Sequence, residues 1–186
     1  MKVAIFCGSA RGNDPIYEQS TKELGQYLAN NGVSLVYGGG NVGLMGTIAD
    51  AFLGEGAAVY GVMPEHLVNR ELAHKNLTEL TIVTDMRERK AAMMEQADAF
   101  VALPGGAGTL EEIFEAWTWG QLGLHKKPSA FYNVNGYYDS LLSMIRTMAE
   151  SGFVRPHYAD LLINTDSPSQ LLSELQNFKA PADKWS

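Results

Sequence analysis

Two stretches of the sequence combine residue types that bind anions with residue types that do acid–base chemistry. Residues 103–112 read LPGGAGTLEE, in which a proline ends an apolar run, three glycines follow and two glutamates come after a threonine. Glycine lets backbone N–H groups approach an anion because no Cβ stands in the way. Residues 85–90 read DMRERK, with three cations at a predicted helix start. The helix dipole disfavours cations there, so these side chains either pair with Asp85, Glu88 or Glu95 or face an anion.

Glu112 has two interpretations from the local sequence. The run Thr109-Leu110-Glu111-Glu112 matches a capping box, with Thr109 as the N-cap and Glu112 folding back on the helix start. Glu112 is equally suited to be a catalytic carboxylate beside the glycine-rich loop.

Two further glycine-rich loops follow predicted strands. They read CGSARGN, after the first strand, and YGGGNVGLMG, after the second. The part GGGNVG fits G-x-G-x-x-G, but it follows the wrong strand, and Glu65 lies beyond the usual distance of a ribose-binding acid, so we do not expect NAD. No P-loop sequence occurs. Three glycine-rich loops at one sheet edge predict a phosphate-bearing ligand.

Short β-branched or aromatic runs alternate with longer amphipathic stretches, which predicts a doubly wound, mainly parallel sheet of about seven strands with helices on both faces. The predicted strands are Val3–Cys7, Val33–Tyr37, Ala58–Val62, Leu80–Thr84, Ala99–Leu103, Ser129–Val134 and Leu161–Asn164. Helices are predicted near 15–31, 43–54, 86–97, 109–122, 137–151 and 168–178. The irregular stretch Pro64–Thr78 is predicted to be a lid or an interface.

Composition limits the function. A length of 186 residues with 46% hydrophobic content predicts one domain over 1–186, with a loose tail at about 180–186. A net charge of -7 argues against a nucleic-acid partner. One cysteine forms no internal disulfide, and the run Val3–Cys7 is too short for a signal or a membrane span, so we expect a cytoplasmic protein without membrane association. The four histidines are scattered and predict no metal site.

Together these motifs resemble the Lonely Guy (LOG) family of cytokinin riboside 5'-monophosphate phosphoribohydrolases, often filed under a lysine decarboxylase name. PGGAGTLEE matches the family's PGGxGTxxE, MRERK its arginine-lysine pair, and YGGGNVGLMG and CGS its other phosphate-edge loops. EAWTWGQLGLHKKP and NVNGYYDSLL extend the likeness over nearly the whole chain.

The resemblance implies a Rossmann-like homodimer without a cofactor. It implies hydrolysis of the N-glycosidic bond of a purine nucleoside 5'-monophosphate, with adenine or an N6-substituted adenine as the base, giving free base and ribose 5-phosphate. The implied catalytic residues are Arg89 and Glu112. The implied substrate-binding residues are Glu71, Lys90, Gly105, Gly106, Ala107, Gly108, Thr109, Leu110, Glu111 and Thr118. The implied phosphate-edge loops contribute Gly8, Ser9, Gly39, Gly40, Gly43 and Met45.

Two other functions stay open. A non-catalytic nucleotide or cofactor carrier on the same fold would share the glycine-rich loops, although Glu112 with Arg89 favours an enzyme. A pyridoxal phosphate decarboxylase needs a Schiff-base lysine, and only Lys90 lies beside the expected site. Thr118 falls off the Glu112 face of its helix, so a place in a neighbouring subunit's site is the alternative for it.

Overall fold

The structure of the protein, a computed structural model, describes residues 1–68 and 73–180. The strands are β1 (Lys2–Phe6), β2 (Ser34–Tyr37), β3 (Val59–Pro64), β4 (Glu79–Val83), β5 (Ala99–Ala102), β6 (Ser129–Tyr132) and β7 (Ile163–Thr165). The helices are α1 (Pro15–Asn30), α2 (Gly43–Gly54), α3 (Glu65–Val68), α4 (Met86–Gln96), α5 (Ala107–Gln121), α6 (Asp139–Glu150), α7 (Pro156–Asp160) and α8 (Pro168–Gln176), with a 3-10 turn at Val134–Gly136.

The seven strands form one parallel sheet in the order β4-β3-β2-β1-β5-β6-β7. This confirms the predicted α/β class and all seven predicted strands. The strand order reverses direction at β1, which has β2 on one side and β5 on the other. Ligands bind at such a switch point, outside the carboxyl ends of the strands. The three glycine-rich loops leave these three neighbouring strands, so the fold brings them together.

Helices cover both faces of the sheet. Helices α1, α2 and α8 pack on one face around residues such as Leu24, Phe52 and Leu171. Helices α4, α5, α6 and α7 cover the other face, where Phe100 and Ile113 are fully buried. The central strands read as continuous apolar runs because both of their faces are buried.

Two short helices and the 3-10 turn were not predicted. Helix α7 has five residues and begins with Pro156, so it is too short to show helical periodicity in the sequence. Helix α3 lies at the start of the stretch Pro64–Thr78. The predicted tail lies mostly outside the described residues.

The described end of the stretch Pro64–Thr78 is attached to the loop after β2. Ala73 forms an antiparallel bridge with Gly40, and the His74 N–H donates to the Gly39 carbonyl at 2.8 Å. The buried His74 ring also contacts Asp50, with 3.0 Å between Nε2 and Oδ1. Ala73 and His74 therefore lie against the loop after β2, at the glycine-rich edge of the sheet. The prediction of a lid or an interface also covers residues 69–72, which lie outside the described residues.

Candidate active site

A cleft of about 430 Å³ lies at the carboxyl edge of the sheet, over the ends of β1, β2 and β5. It has a polar end and an apolar wall. The polar end consists of the first turns of α5 with Arg89 from α4. The apolar wall consists of Val42, Met45, Met63, Leu67 and Met86. Such a combination suits a ligand that has a charged group at one end and a flat, weakly polar group at the other.

The polar end of the cleft is a helix N-terminus. Helix α5 begins at Ala107 with Gly106 as its N-cap, and Gly106, Ala107 and Gly108 are exposed. The first N–H groups of a helix have no partner within the helix and carry its positive dipole end, so they bind anions. Apart from the adjoining backbone, no heavy atom of residues 1–68 and 73–180 lies within 4 Å of a Cβ built on Gly106 or Gly108, so these residues leave room for a ligand to reach this backbone.

The capping-box interpretation of Thr109 and Glu112 is wrong, because Gly106 is the N-cap of α5. Because α5 begins two residues before Thr109, that residue occupies the third position of the helix and Glu112 lies in the second turn. No side chain of the described residues caps the start of α5. Thr109 is buried, and its hydroxyl lies 2.1 Å from where a Cβ on residue 105 would be, so it packs against the loop. Glu112 is therefore available for another role.

The three glycine-rich loops pack directly on one another. The Gly8 N–H donates to the Pro104 carbonyl at 3.0 Å, and the Leu44 N–H donates to the Gly8 carbonyl at 3.0 Å. Gly43 has φ +56°, and a Cβ there would lie 2.3 Å from the Ser9 carbonyl carbon. Only glycine permits this approach. The loops therefore form one continuous floor.

Arg89 reaches the cleft from α4. Asp85 caps this helix by accepting from the Arg87 and Glu88 N–H groups, which leaves Arg89 free to extend over the sheet edge. The Arg89 Nε–H donates to the Val62 carbonyl at 3.1 Å, and the side chain is only 11% exposed. Its Nη2 lies 1.7 Å from where a Cβ on Gly38 would be. The missing side chain at Gly38 therefore creates the space that the guanidinium occupies.

Glu112 faces this guanidinium. Its Oε1 lies 4.0 Å from Arg89 Nη2, and the carboxylate is 13% exposed. Burial raises the pKa of Glu112, and the charge of Arg89 partly offsets that effect. A separation of 4.0 Å is longer than a hydrogen bond, so both groups keep hydrogen-bonding capacity for a ligand. A carboxylate held in so dry a position interacts strongly with any positive charge that develops nearby.

Cys7 also lines the cleft but is not a nucleophile. Burial and the nearby charge of Glu112 raise the pKa of its thiol well above the ordinary value. The thiolate is the reactive form of cysteine, so a thiol that stays protonated is inert.

Lys90 does not itself line the cleft, although Glu111, to which it is paired, does. Its Nζ lies 2.7 Å from Glu111 Oε1 and 2.8 Å from Glu115 Oε2. Hydrogen bonds to Glu111 and then to Glu115 raise the pKa of Lys90, which keeps it charged. Of the two roles predicted for the cations of MRERK, Lys90 therefore has the first, pairing with carboxylates. Its partners lie on α5 and are not the predicted Asp85, Glu88 or Glu95.

The cleft brings together eleven of the eighteen site residues implied by the resemblance. They are Gly8, Ser9, Gly40, Met45, Arg89, Gly106, Ala107, Gly108, Thr109, Glu111 and Glu112.

The other seven implied residues do not line the cleft or are not described. Gly105 lines an adjacent pocket, Gly43 borders a groove between α1 and α2, and the Gly39 carbonyl accepts from the His74 N–H. Leu110 packs into the core cluster on its face of the sheet, and Lys90 forms the ion pairs above. Thr118 is exposed, three turns along α5 from the helix start. Glu71 lies outside the described residues.

Six cleft residues were not among those implied: Cys7, Gly38, Val42, Met63, Leu67 and Met86. Cys7, Gly38 and Val42 belong to the quoted glycine-rich loops, so the loop positions themselves were the available signal. Leu67 comes from α3, the short helix that the sequence did not predict. Met63 comes from the end of β3, one residue beyond the predicted strand Ala58–Val62.

Among the described residues, no group of three or more histidine, cysteine, aspartate and glutamate side chains is placed to hold a metal ion. Among the helices of residues 1–68 and 73–180, none is long and apolar enough to cross a membrane.

Known proteins resemble this chain along most of its length. Residues 45–175 match a family model described as "Possible lysine decarboxylase". The "Probable cytokinin riboside 5'-monophosphate phosphoribohydrolase LOGL2" of Oryza sativa subsp. japonica is 44% identical over 98% of this chain and 75% of that protein. The "Cytokinin riboside 5'-monophosphate phosphoribohydrolase LOG1" of Arabidopsis thaliana is 44% identical over 95% of this chain and 83% of that protein.

Solved structures share the fold at lower identity. The molybdenum cofactor binding protein of Rippkaea orientalis matches with a TM-score of 0.71 and 20% identity over 94% of both chains. The Moco carrier protein of Chlamydomonas reinhardtii matches with a TM-score of 0.70 and 16% identity, also over 94% of both chains. At these identities the likeness concerns the fold alone.

Proposed function

Because this chain belongs to the LOG family, the family of the cytokinin riboside 5'-monophosphate phosphoribohydrolases, we propose that it hydrolyses the N-glycosidic bond of a nucleoside 5'-monophosphate. The products are a free base and ribose 5-phosphate. The base is adenine or an N6-substituted adenine.

One observation carries the proposal: a single cleft contains an anion-binding helix start and a buried carboxylate from the same helix. The phosphate binds at the N–H groups of Gly106, Ala107 and Gly108. Glu112 follows Gly108 by four residues, or about 6 Å along the helix axis at 1.5 Å per residue. A ribose bound by its 5'-phosphate spans a separation of this order and brings its C1' beside Glu112.

The chemistry requires a negative group beside C1'. As the bond to the base breaks, both of its electrons leave with the base nitrogen and positive charge develops on the ribosyl carbon and ring oxygen. The Glu112 carboxylate stabilises that charge and orients a water molecule. The water oxygen forms the new bond to C1', and one water proton ends on the departing base nitrogen, which balances the reaction.

Arg89 supports Glu112 in this role. Burial alone favours the protonated acid, and the guanidinium at 4.0 Å favours the carboxylate that the reaction needs. The Nη groups of Arg89 that face the cleft also serve as donors to substrate. Arg89 is itself held by Val62 and by the space over Gly38, so its charge is fixed before substrate arrives.

The apolar wall supports the proposal of an adenine-type base. Met45, Met63 and Met86 present polarisable, adaptable side chains, which pack well on flat aromatic rings. Leu67 extends this wall from α3. The same wall accepts an apolar N6 substituent without an unpaired polar group.

The pyridoxal phosphate interpretation fits the cleft poorly. The described residues that line it include no lysine, and Lys90 is kept charged by Glu111 and Glu115. A Schiff base forms from a neutral amine.

The protein is further proposed to be a homodimer. Leu122 and Leu124 follow the end of α5 and are 46% and 66% exposed, an apolar surface that a second copy would cover. Light scattering coupled to gel filtration measures the mass directly. A monomer at micromolar concentration contradicts this proposal and leaves the hydrolase proposal standing.

The reaction is tested by incubating the purified protein with AMP and with isopentenyladenosine monophosphate. Chromatography measures the free base and an enzymatic assay measures ribose 5-phosphate. Equal amounts of the two products from at least one nucleotide are expected, and much less base from the matching nucleoside because it lacks the phosphate. Tight nucleotide binding without base release would instead identify a non-catalytic carrier.

A further inference from the structure

The loop before α5 has three consecutive carbonyl groups that each accept a hydrogen bond from another part of the chain. The Leu103 carbonyl accepts from the Tyr138 hydroxyl, and the Pro104 carbonyl accepts from the Gly8 N–H at 3.0 Å. The Gly105 carbonyl accepts from the Tyr137 hydroxyl at 2.6 Å. The loop is therefore fixed through its backbone.

The bond from Tyr137 determines where the next N–H group points. The described residues contain no cis peptide, and in a trans peptide the carbonyl and the N–H point in opposite directions. Tyr137 lines the adjacent pocket of about 310 Å³ and does not line the main cleft, whereas Gly106 lines both. Because the Gly105 carbonyl points at Tyr137, the Gly106 N–H of the same peptide points away from Tyr137. We infer that it faces the main cleft, the other cavity that Gly106 lines.

This peptide needs an external constraint. It joins Gly105 to Gly106, and glycine lets a peptide rotate between orientations that other residues exclude. The Tyr137 ring is well placed to supply the constraint, since it makes edge contacts with Tyr17 at 5.8 Å and with Tyr138 at 4.9 Å between ring centroids. Donation to the carbonyl also polarises the peptide and strengthens its N–H as a donor.

We propose that Tyr137 is a positioning residue that orients the Gly106 N–H towards the 5'-phosphate of the substrate. The inference rests on the proposed function in one respect, namely that the phosphate binds at the start of α5. Tyr137 itself does not touch the substrate. Its effect is confined to the phosphate end of the ligand and leaves the chemistry at C1' unchanged.

The test compares ligands with and without a phosphate. Tyr137→Phe keeps the ring contacts and removes only the hydroxyl. Calorimetric titration with AMP and with ribose 5-phosphate is expected to show binding weakened by about tenfold, the effect of one good hydrogen bond to a charged group. Binding of adenosine is expected to be unchanged. In turnover, KM for AMP rises by a similar factor while kcat changes less than twofold.

Two control variants separate orientation from general loosening. Tyr138→Phe removes a similar hydroxyl bond from the same loop, but the Leu103 carbonyl belongs to a peptide ending at Pro104, which has no N–H to orient. Tyr158→Phe removes a hydroxyl bond to the Gln121 carbonyl, away from the cleft, and serves alone if Tyr138→Phe does not fold. Both controls are expected to bind AMP like the wild type.

Wild-type affinity of Tyr137→Phe for AMP and ribose 5-phosphate would overturn the inference. So would an equal loss for adenosine, or an equal loss of AMP binding in either control. Failure of the hydrolase proposal looks different: the wild type binds AMP without releasing base, and the comparison of affinities still decides the role of Tyr137. A wild type that binds neither phosphorylated ligand overturns both.

Discussion

Gly38→Ala is expected to disable the site through Arg89 while leaving the fold intact. A Cβ on residue 38 would lie 1.7 Å from Arg89 Nη2 and 2.9 Å from its Cζ. Ordinary contact needs about 3.5 Å or more, so the guanidinium must move by roughly 2 Å. The obstructing atoms are the far end of a flexible side chain, so the movement costs the fold little.

That displacement sets the size of the effect. A misplacement of about 1 Å in an active site costs about 100-fold in rate. We therefore expect kcat/KM of Gly38→Ala to fall by at least about 100-fold for the nucleotide substrate. The melting temperature is expected to change by less than about 4 °C, which corresponds to about 1 kcal/mol for a chain of this size.

The loss of kcat/KM is measured from initial rates of base release, and two further variants are assayed beside Gly38→Ala. Gly54→Ala is the matched control and is expected to keep wild-type rates, since apart from the adjoining helix backbone no described heavy atom lies within 4 Å of a Cβ at that position. Because Gly38→Ala acts through Arg89, it is expected to add nothing in an Arg89→Ala background. Wild-type activity in Gly38→Ala, or a further loss in the double variant, would refute the proposed role of Arg89.

Three further predictions concern pH, stability and the phosphate loop. The pKa of Glu112 is raised and the reaction needs its carboxylate form, so kcat/KM is expected to fall as the pH drops through a value above the pKa of an ordinary glutamate. Arg89→Met removes the charge that lowers this pKa, so the fall in kcat/KM is expected at a higher pH in that variant. A pH–rate profile that is flat in the acid range would contradict this prediction. Because burial raises the pKa of Glu112, its ionised form costs stability at neutral pH. Glu112→Gln is therefore expected to raise the melting temperature at pH 7, and this difference is expected to disappear below the unfolded-state pKa. An equal difference at all pH values would point to another cause. Gly105→Ala places a Cβ 2.9 Å from the Gly8 backbone nitrogen and 2.8 Å from Thr109 Cβ, so we expect a loss of about 1–3 kcal/mol in denaturant unfolding and weaker binding of ribose 5-phosphate.

The elements that the sequence predicted well are those with long, regular patterns. In the described part of the chain, all seven strands and six of the eight helices follow from apolar runs and helical periodicity, because a parallel sheet with both faces covered imposes these patterns. Helix α7, with five residues, imposes none. The glycine-rich loops were also predictable as one edge, since carboxyl ends of parallel strands converge.

The details of the site depended on packing that the sequence does not encode locally. Thr109 matched a capping box, but the preceding glycines let α5 begin earlier and the threonine became buried. Nothing in MRERK distinguishes Arg89, which reaches over Gly38, from Lys90, which pairs with Glu111 and Glu115. Those outcomes depend on how α4 and α5 sit on the same face of the sheet.

Glu112→Gln, assayed for binding and turnover in the same preparation, tests the central claim most directly. The change keeps the size of the side chain and removes its charge beside Arg89. AMP is expected to bind within about threefold of the wild type, while base release falls by about 1,000-fold, the size of effect seen when one electrostatic group is removed from an active site. A Glu112→Gln protein that releases base at the wild-type rate would contradict the assignment of Glu112 as the carboxylate that stabilises the ribosyl cation.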